Sequence, residues 1–385
     1  MLKIVFLVSS LTSGGAERVA TQLCNAWAAR GDRVTLIPTY SGGGRPFYAV
    51  SEAVELVYLA DVVGVRNKRI WTYAKRLHAL RDLIAQRSPD VVISFLPNVN
   101  VAAVLATALL KIPLIICERN DPSAERQERS GLLHALPMKL TYRFADMLTV
   151  QTEAVEHKVH GIYPGLRKVR TVANPLPKDI VTKRPGSPSP RRTLISMGRL
   201  VPQKQFDRLI DAFAEIAPRF DDWDVHIYGE GPDRDALQSR IGRLGLAERV
   251  RLKGATDTPW ACMAAADAFA MTSKYEGFPN VLLEAMGVGL PCLAFDCPSG
   301  PRDITRDGQD ALLVPLNDHS ALVAALAWLL EDPAMRAQLG NQARTSVHSR
   351  FGLSKVIDCW DTLFDEVILN RAAPTARPRA MKNEM

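Results

Sequence analysis

The chain has 385 residues, 47% apolar and 23% charged, with a formal net charge of +7. That length exceeds one ordinary hydrophobic core and points to two domains of about 180 residues. No apolar run approaches the ~20 residues of a membrane-spanning helix, and the six cysteines (24, 117, 262, 292, 297, 359) form no C-x-x-C pair, which argues against a zinc site or disulfide framework and for reduced, cytosolic thiols.

The charge is uneven. Residues 1–177 carry 22 Lys+Arg against 14 Asp+Glu, and the remainder carries 26 against 27. The surplus therefore belongs to the first half, which suits an anionic surface or acceptor met by that half alone.

The apolar start, Met1 to Val8, lacks a basic stretch and a cleavage site and runs into a glycine-rich turn, so it reads as a buried strand, Lys3–Val8, rather than a leader. It leads into Ser10-Leu11-Thr12-Ser13-Gly14-Gly15-Ala16-Glu17-Arg18, a Gly-Gly loop opening a helix. This is not G-x-G-x-x-G, so a nicotinamide site is not indicated. It is an anion-tolerant helix start, with a plain flexible turn as the alternative. Further strands are expected at Arg33–Pro38, Val91–Phe95, Leu114–Cys117, Met147–Val150 and Val169–Val172, separated by helices. Between Arg33–Pro38 and Val91–Phe95, the stretch Arg66 to Arg87 carries seven cations, Lys68 and Arg69 among them, interleaved with Ile70, Trp71, Tyr73, Leu77, Leu80, Leu83 and Ile84. A basic amphipathic helix of this kind can lie on an anionic bilayer or grip a polyprenyl diphosphate; the solvated face of a packed helix explains it about as well. The strand ending at Cys117 continues into Glu118-Arg119-Asn120-Asp121, dense enough in polar groups to meet an acceptor.

Five prolines fall between 175 and 190, so a linker is expected over 177–192, dividing a domain over 1–176 from one over 193–353. The alternation then restarts with Leu194–Met197, Val225–Tyr228, Val250–Leu252, Ala268–Met271, Cys292–Phe295 and Leu312–Val314. Short continuous apolar runs mark strands buried on both faces, hence parallel sheets. The expectation is an α/β chain of two Rossmann-like, doubly wound domains facing across a cleft, with ligands at the strand C-termini. A last helix is expected over 354–370, and a disordered tail over 371–385.

The chemistry concentrates at strand ends of the second half. Leu194–Met197 is followed by Gly198-Arg199-Leu200-Val201-Pro202-Gln203-Lys204, where Arg199 can hold a phosphate bidentately and Lys204 acts as a mobile point charge. Tyr228-Gly229-Glu230-Gly231-Pro232 ends the next strand; its glycines let backbone approach a ligand closely, or simply make a tight turn. Lys253-Gly254-Ala255 ends another. Ala268–Met271 leads to Lys274-Tyr275-Glu276-Gly277-Phe278-Pro279-Asn280-Val281-Leu282-Leu283-Glu284-Ala285. Pro279 is expected at the first helical position, and the free N–H groups of that turn make an anion site. Glu276 then stands beside the anion and Glu284 deeper on the helix, an order that matches hexose, diphosphate and ribose. A single Glu is ordinarily a solvated one; the combination is what points to a site.

That combination resembles the E-x7-E signature of retaining family 4 glycosyltransferases with the GT-B fold. Gly198 to Lys204 is similar to the family's G-R-L-x-x-x-K pattern, Gly229 to Pro232 to its G-x-G-P turn, and Gly14 to Arg18 to its G-G-A-E-R string. Gly300-Pro301-Arg302-Asp303-Ile304 and Asp307 to Pro315 resemble its G-x-x-[DE]-I and DG-x-x-G-x-L-V block, with Ala311 in place of the usual Gly. The resemblance implies a catalytic set of Glu276, Arg199 and Lys204. It implies donor contacts from Gly15, Arg199, Lys204, Gly229, Gly231, Lys253, Gly277, Phe278, Pro279, Asn280, Val281 and Glu284, and acceptor contacts from Gly14, Glu17, Lys68, Arg69, Arg119 and Asn120. Many relatives carry a His near the reacting hydroxyl; here Arg119 or Asn120 takes that place. Further implications are a nucleotide-sugar donor, most simply a UDP-sugar, no metal, a lipid-linked glycan or polyprenyl-diphosphate acceptor, a cytoplasmic protein peripheral on the inner face of the membrane, and a final helix that crosses back onto the first domain. No nucleic-acid motif accompanies the basic half. A UDP-N-acetylglucosamine 2-epimerase-like enzyme and a non-catalytic glycan-binding scaffold are the alternatives.

Overall fold

Runs rich in Val, Ile and Leu pair side by side into two separate sheets, each wholly parallel. The computed structural model describes residues 1–12, 14–40, 43–64, 70–122, 132–182 and 191–372. In the first half, β1 (Lys3–Val8), β2 (Arg33–Pro38), β3 (Val54–Leu56), β4 (Val91–Phe95), β5 (Leu114–Cys117), β6 (Met147–Val150) and β7 (Val169–Thr171) lie in the order β3-β2-β1-β4-β5-β6-β7. In the second, β8 (Arg192–Met197), β9 (Trp223–Tyr228), β10 (Val250–Gly254), β11 (Ala268–Met271), β12 (Cys292–Asp296) and β13 (Leu312–Pro315) lie in the order β10-β9-β8-β11-β12-β13. Helices cover both faces of each sheet. Ile4, Phe6 and Val8 therefore join one core and Val5 and Leu7 another, both fully buried. Sequence reasoning missed β3. It is a three-residue edge strand with one buried side chain, too short to leave a periodic signal. Ladders also run one or two residues past the apolar runs, as at Arg192 and Gly254.

In each sheet the chain reverses direction of winding beside its first strand, between β1 and β4 and between β8 and β11. Crevices at the C-terminal ends of parallel strands open at such points. The loops after β1, β5, β8 and β11 meet there.

The helix Leu353–Ala372 leaves the second half and lies on the first. Trp360 packs edge-on against Trp27 (centroids 5.9 Å apart, 89°), and Phe364 lies 5.4 Å from the same ring. Arg30 pairs with Asp361 at 2.5 Å, and Lys168 and Arg170 both reach Glu366 at 2.7 Å. The two chain segments that pass between the halves are bonded to each other: the Leu176 N–H donates to the Phe351 carbonyl at 2.6 Å. Among the described residues no helix is long and apolar enough to cross a membrane.

Candidate active site

The wall contributed by the second half starts at β8. The loop Gly198 to Lys204 is stitched to the end of β9, with the Gly198 N–H donating to the Tyr228 carbonyl (3.0 Å) and the Leu200 N–H to that of Glu230 (2.9 Å). A Cβ on Gly229 or Gly231 would collide with the carbonyls of Gly198 and Leu200. These two glycines thus make room for the neighbouring backbone, and neither lines the cleft. On the other side, the Lys274 N–H donates to the Gln203 carbonyl (2.8 Å) and Gln203 Nε2 to that of Tyr275 (2.8 Å). Lys204 Nζ reaches Glu276 Oε1 at 2.5 Å, both side chains nearly buried. The Glu276 carbonyl is held by Ser299 Oγ at 2.7 Å. Beside them sits Cys297, whose thiol is pushed up first by burial and then by the Glu276 carboxylate. Arg199 is exposed, and its guanidinium has no acceptor among the described residues.

The helix Asn280–Val288 begins one residue later than expected. Pro279 is its N-cap, with φ −74° and ψ 87°, and its carbonyl accepts from Leu282 and Leu283 at 3.0 and 3.2 Å. The N–H groups of Asn280 and Val281 lie at the cleft and, as first-turn groups, have no acceptor inside the helix. One turn on, Glu284 is buried. Its carboxylate accepts from both terminal nitrogens of Arg18, on the first-half helix Gly15–Ala29, and from Trp260 Nε1 at 3.0 Å. Burial pushes the Tyr48 phenol up where it lies against Arg18 and Glu284.

The wall from the first half touches this one. A Cβ on Gly277 would stand 2.7 Å from Asn120 Cα, and one on Gly15 would stand 2.9 Å from Asn280 Nδ2. Asn174 Nδ2 donates to Asn280 Oδ1 at 2.7 Å, while Asn174 Oδ1 accepts from Arg119. Arg119 itself is buried, stacked 4.1 Å over the Phe95 ring, and desolvation pushes its pKa down to about 10. Glu17 folds back over Gly14 at the helix start and accepts from Ser10 Oγ at 3.0 Å.

Between the walls lies a cavity of about 1190 Å³. It is lined by Gly15, Asn120, Arg199, Lys204, Glu276, the run Gly277 to Val281, and Glu284. Gly14, Glu17, Arg119, Gly229, Gly231 and Lys253 do not line it, and Lys68 and Arg69 lie outside the described residues. Sequence reasoning left Arg18, Trp260, Phe47, Tyr48 and the turn Thr256 to Thr258 unassigned; all line the cavity. Arg18 had a signal, being quoted within the Gly-Gly string; Phe47 and Tyr48 had none. The basic helix Ile70–Arg87 is a packed one. Leu80, Leu83 and Ile84 are in the core, and Arg76, Arg81 and Arg87 donate to Thr39, Ala106 and Glu55. Among the described residues, no group of three or more His, Cys, Asp or Glu side chains is placed to hold a metal ion.

Two family models match adjacent stretches of the chain: a glycosyl transferase 4-like domain over residues 14–176 and glycosyl transferases group 1 over 178–346. The chain is 27% identical, over 95% of its own length and 99% of the relative's, to the GalNAc-alpha-(1->4)-GalNAc-alpha-(1->3)-diNAcBac-PP-undecaprenol alpha-1,4-N-acetyl-D-galactosaminyltransferase of Campylobacter jejuni. It is 30% identical, over 97% of its length, to an exopolysaccharide phosphotransferase of Streptomyces coelicolor, of which it spans only 42%. Anabaena HepE in complex with UDP superposes with a TM-score of 0.75 at 20% identity, covering 95% of this chain and 100% of that one, a likeness of fold. The chain belongs to the family 4-type glycosyltransferases with the GT-B fold.

Proposed function

We propose that this glycosyltransferase moves a hexose or N-acetylhexosamine from a UDP-sugar, with retention, onto a lipid-linked glycan during surface polysaccharide, lipopolysaccharide or glycoprotein glycan assembly. The observation that carries the donor reading is one cavity with the Lys204–Glu276 pair at one end, the helix start at Asn280 in the middle and Glu284 at the other. The diphosphate lies over the N–H groups of Asn280 and Val281, with the ribose diol on Glu284 and the hexose beside Glu276. When the diphosphate leaves, Arg199, Lys204 and those N–H groups stabilise the growing charge without reorganising. Glu276 neutralises the Lys204 ammonium; on donor entry the ammonium turns to phosphate and Glu276 to the sugar hydroxyls. Attack comes from the face the diphosphate leaves, and a phosphate oxygen takes the acceptor proton, so no metal is required. Asn120 lies on the acceptor side of the cavity. The Campylobacter relative, named for a PP-undecaprenol substrate, and the UDP in the HepE structure support these choices of acceptor and donor.

Membrane contact belongs to the same reading. Its support is the cationic first half and an exposed apolar row, Leu136, Leu140 and Phe144 (51%, 52% and 56% exposed), with Lys139 and Arg143 interleaved. UDP-sugars offered with a short polyprenyl-diphosphate acceptor should give a glycosylated lipid; an epimerised sugar formed without acceptor would favour the epimerase reading. Lys204→Ala should lower turnover about 10²–10³-fold with the fold intact by circular dichroism.

A further inference from the structure

Arg18 is rooted in one half of the molecule and ends on the other. Nη1 donates to Glu284 Oε2 at 3.1 Å and Nη2 to Oε1, while Trp260 Nε1 takes Oε2 as well, at 3.0 Å. Both partners are enclosed, with side chains only 14% (Arg18) and 4% (Glu284) exposed, yet both line the cavity. The Arg18 Nε–H is buried and has no acceptor. An orphaned guanidinium N–H at the edge of a ligand cavity is a donor waiting for an oxygen.

We infer that Arg18 is a nucleoside-recognition residue supplied from across the cleft: it sets the plane of the Glu284 carboxylate for the ribose diol and offers its unspent Nε–H to an oxygen of the bound nucleoside diphosphate. This rests on the donor reading given above. A carboxylate has roughly four acceptor directions, and three are taken here. A ribose diol brings two O–H donors, so one existing bond must yield. The longer one, from Nη1, is the one that does, and that N–H then faces ligand oxygen alongside Nε–H. The planar fork of Arg is suited to this exchange; a Lys, with a point charge on a flexible stem, keeps attraction but loses the fixed plane. Because Arg18 and Glu284 come from different halves, the complete nucleoside seat exists only with the cleft shut. Nucleotide affinity and closure are therefore coupled.

The test is calorimetric titration with UDP of the wild type, Arg18→Ala, Arg18→Lys, Glu284→Gln and the Arg18→Ala/Glu284→Gln double variant. Arg18→Ala should weaken UDP binding at least about tenfold, the loss expected from a charge-assisted bond, and Arg18→Lys should recover part of it. In steady state the donor KM should rise while kcat stays within a few-fold. The double variant should bind no worse than the weaker single variant, since the two side chains act as one unit. Wild-type affinity in Arg18→Ala, or losses that multiply in the double variant, would overturn the inference. If Arg18→Ala does not fold, Arg18→Gln and Arg18→Lys carry the same comparison. A wild type that binds none of UDP, GDP or ADP is a different failure: it removes the donor reading, and this inference with it.

Discussion

Lys204 and Glu276 each solve the other's burial. Either ion alone in that position would be uncompensated, and removing one partner of such a pair costs more than the pair itself contributes. Glu276→Gln should therefore do two things at once: free the Lys204 ammonium for phosphate and remove the contact to the sugar. UDP binding should hold or tighten while transfer falls, a split that calorimetry and a turnover assay read separately. Gly231 gives a second residue-scale expectation. A Cβ there meets the Leu200 carbonyl, which is backbone and cannot swing away. Gly231→Ala should cost about 1–3 kcal/mol of stability, as overpacking does, and should weaken UDP binding by displacing Arg199 although Gly231 never touches the cavity. At this scale the second-half wall of the cavity was legible because its cations and carboxylates sit in short strings at strand ends. Arg18 with Glu284, 266 positions apart, and Arg119 with Asn174, 55 apart, were not. Arg119 was expected at the acceptor because it stands in a densely polar strand end where relatives carry a His; in the structure it is buried, stacked on Phe95.

Among elements, the helix Leu353–Ala372 depends most on distant partners. Its stripe of Val356, Trp360, Phe364 and Val367 is buried against Trp27 and its neighbours. Trp360→Ala should cost about 3–5 kcal/mol in chemical denaturation, the range for large-to-small changes in a core. Glu366 adds a pH-dependent part. The Lys168 hydrogen bond, ahead of the other contributions, holds its pKa below the usual carboxylate value. A depressed folded-state pKa stabilises the fold above the unfolded value and ceases to do so as pH falls through the folded one. The stability difference between wild type and Glu366→Gln should thus be present at neutral pH, no more than about 1 kcal/mol for so exposed a pair, and vanish in acid. The amphipathic stripe of this helix was plain in the sequence, but its partner was not. The helix Ile70–Arg87 teaches the converse: its stripe was equally plain, and a bilayer was only one of the surfaces that could cover it. The core of its own domain does so.

For the whole molecule, the two-sheet plan was legible because strands buried on both faces are short, uninterrupted apolar runs, and among the described residues every strand but Val54–Leu56 announced itself that way. Which surface faces a membrane is not encoded so locally. If the row Leu136, Leu140 and Phe144 meets lipid, the wild-type protein should co-float with vesicles rich in anionic lipid at low salt, and a Leu140→Glu/Phe144→Glu variant should stay in solution with its UDP affinity unchanged. Flotation of both to the same degree would assign the contact elsewhere. The bond from Leu176 to Phe351 has a mechanical consequence. Two tethers joined side by side behave as a ribbon rather than a swivel. Twisting one lobe about the other would shear that joint, whereas folding along it leaves the joint whole. That joint favours a clamshell stroke about an axis near the base of the gap over a twist, and such a stroke would return the Arg18 tip to the same carboxylate.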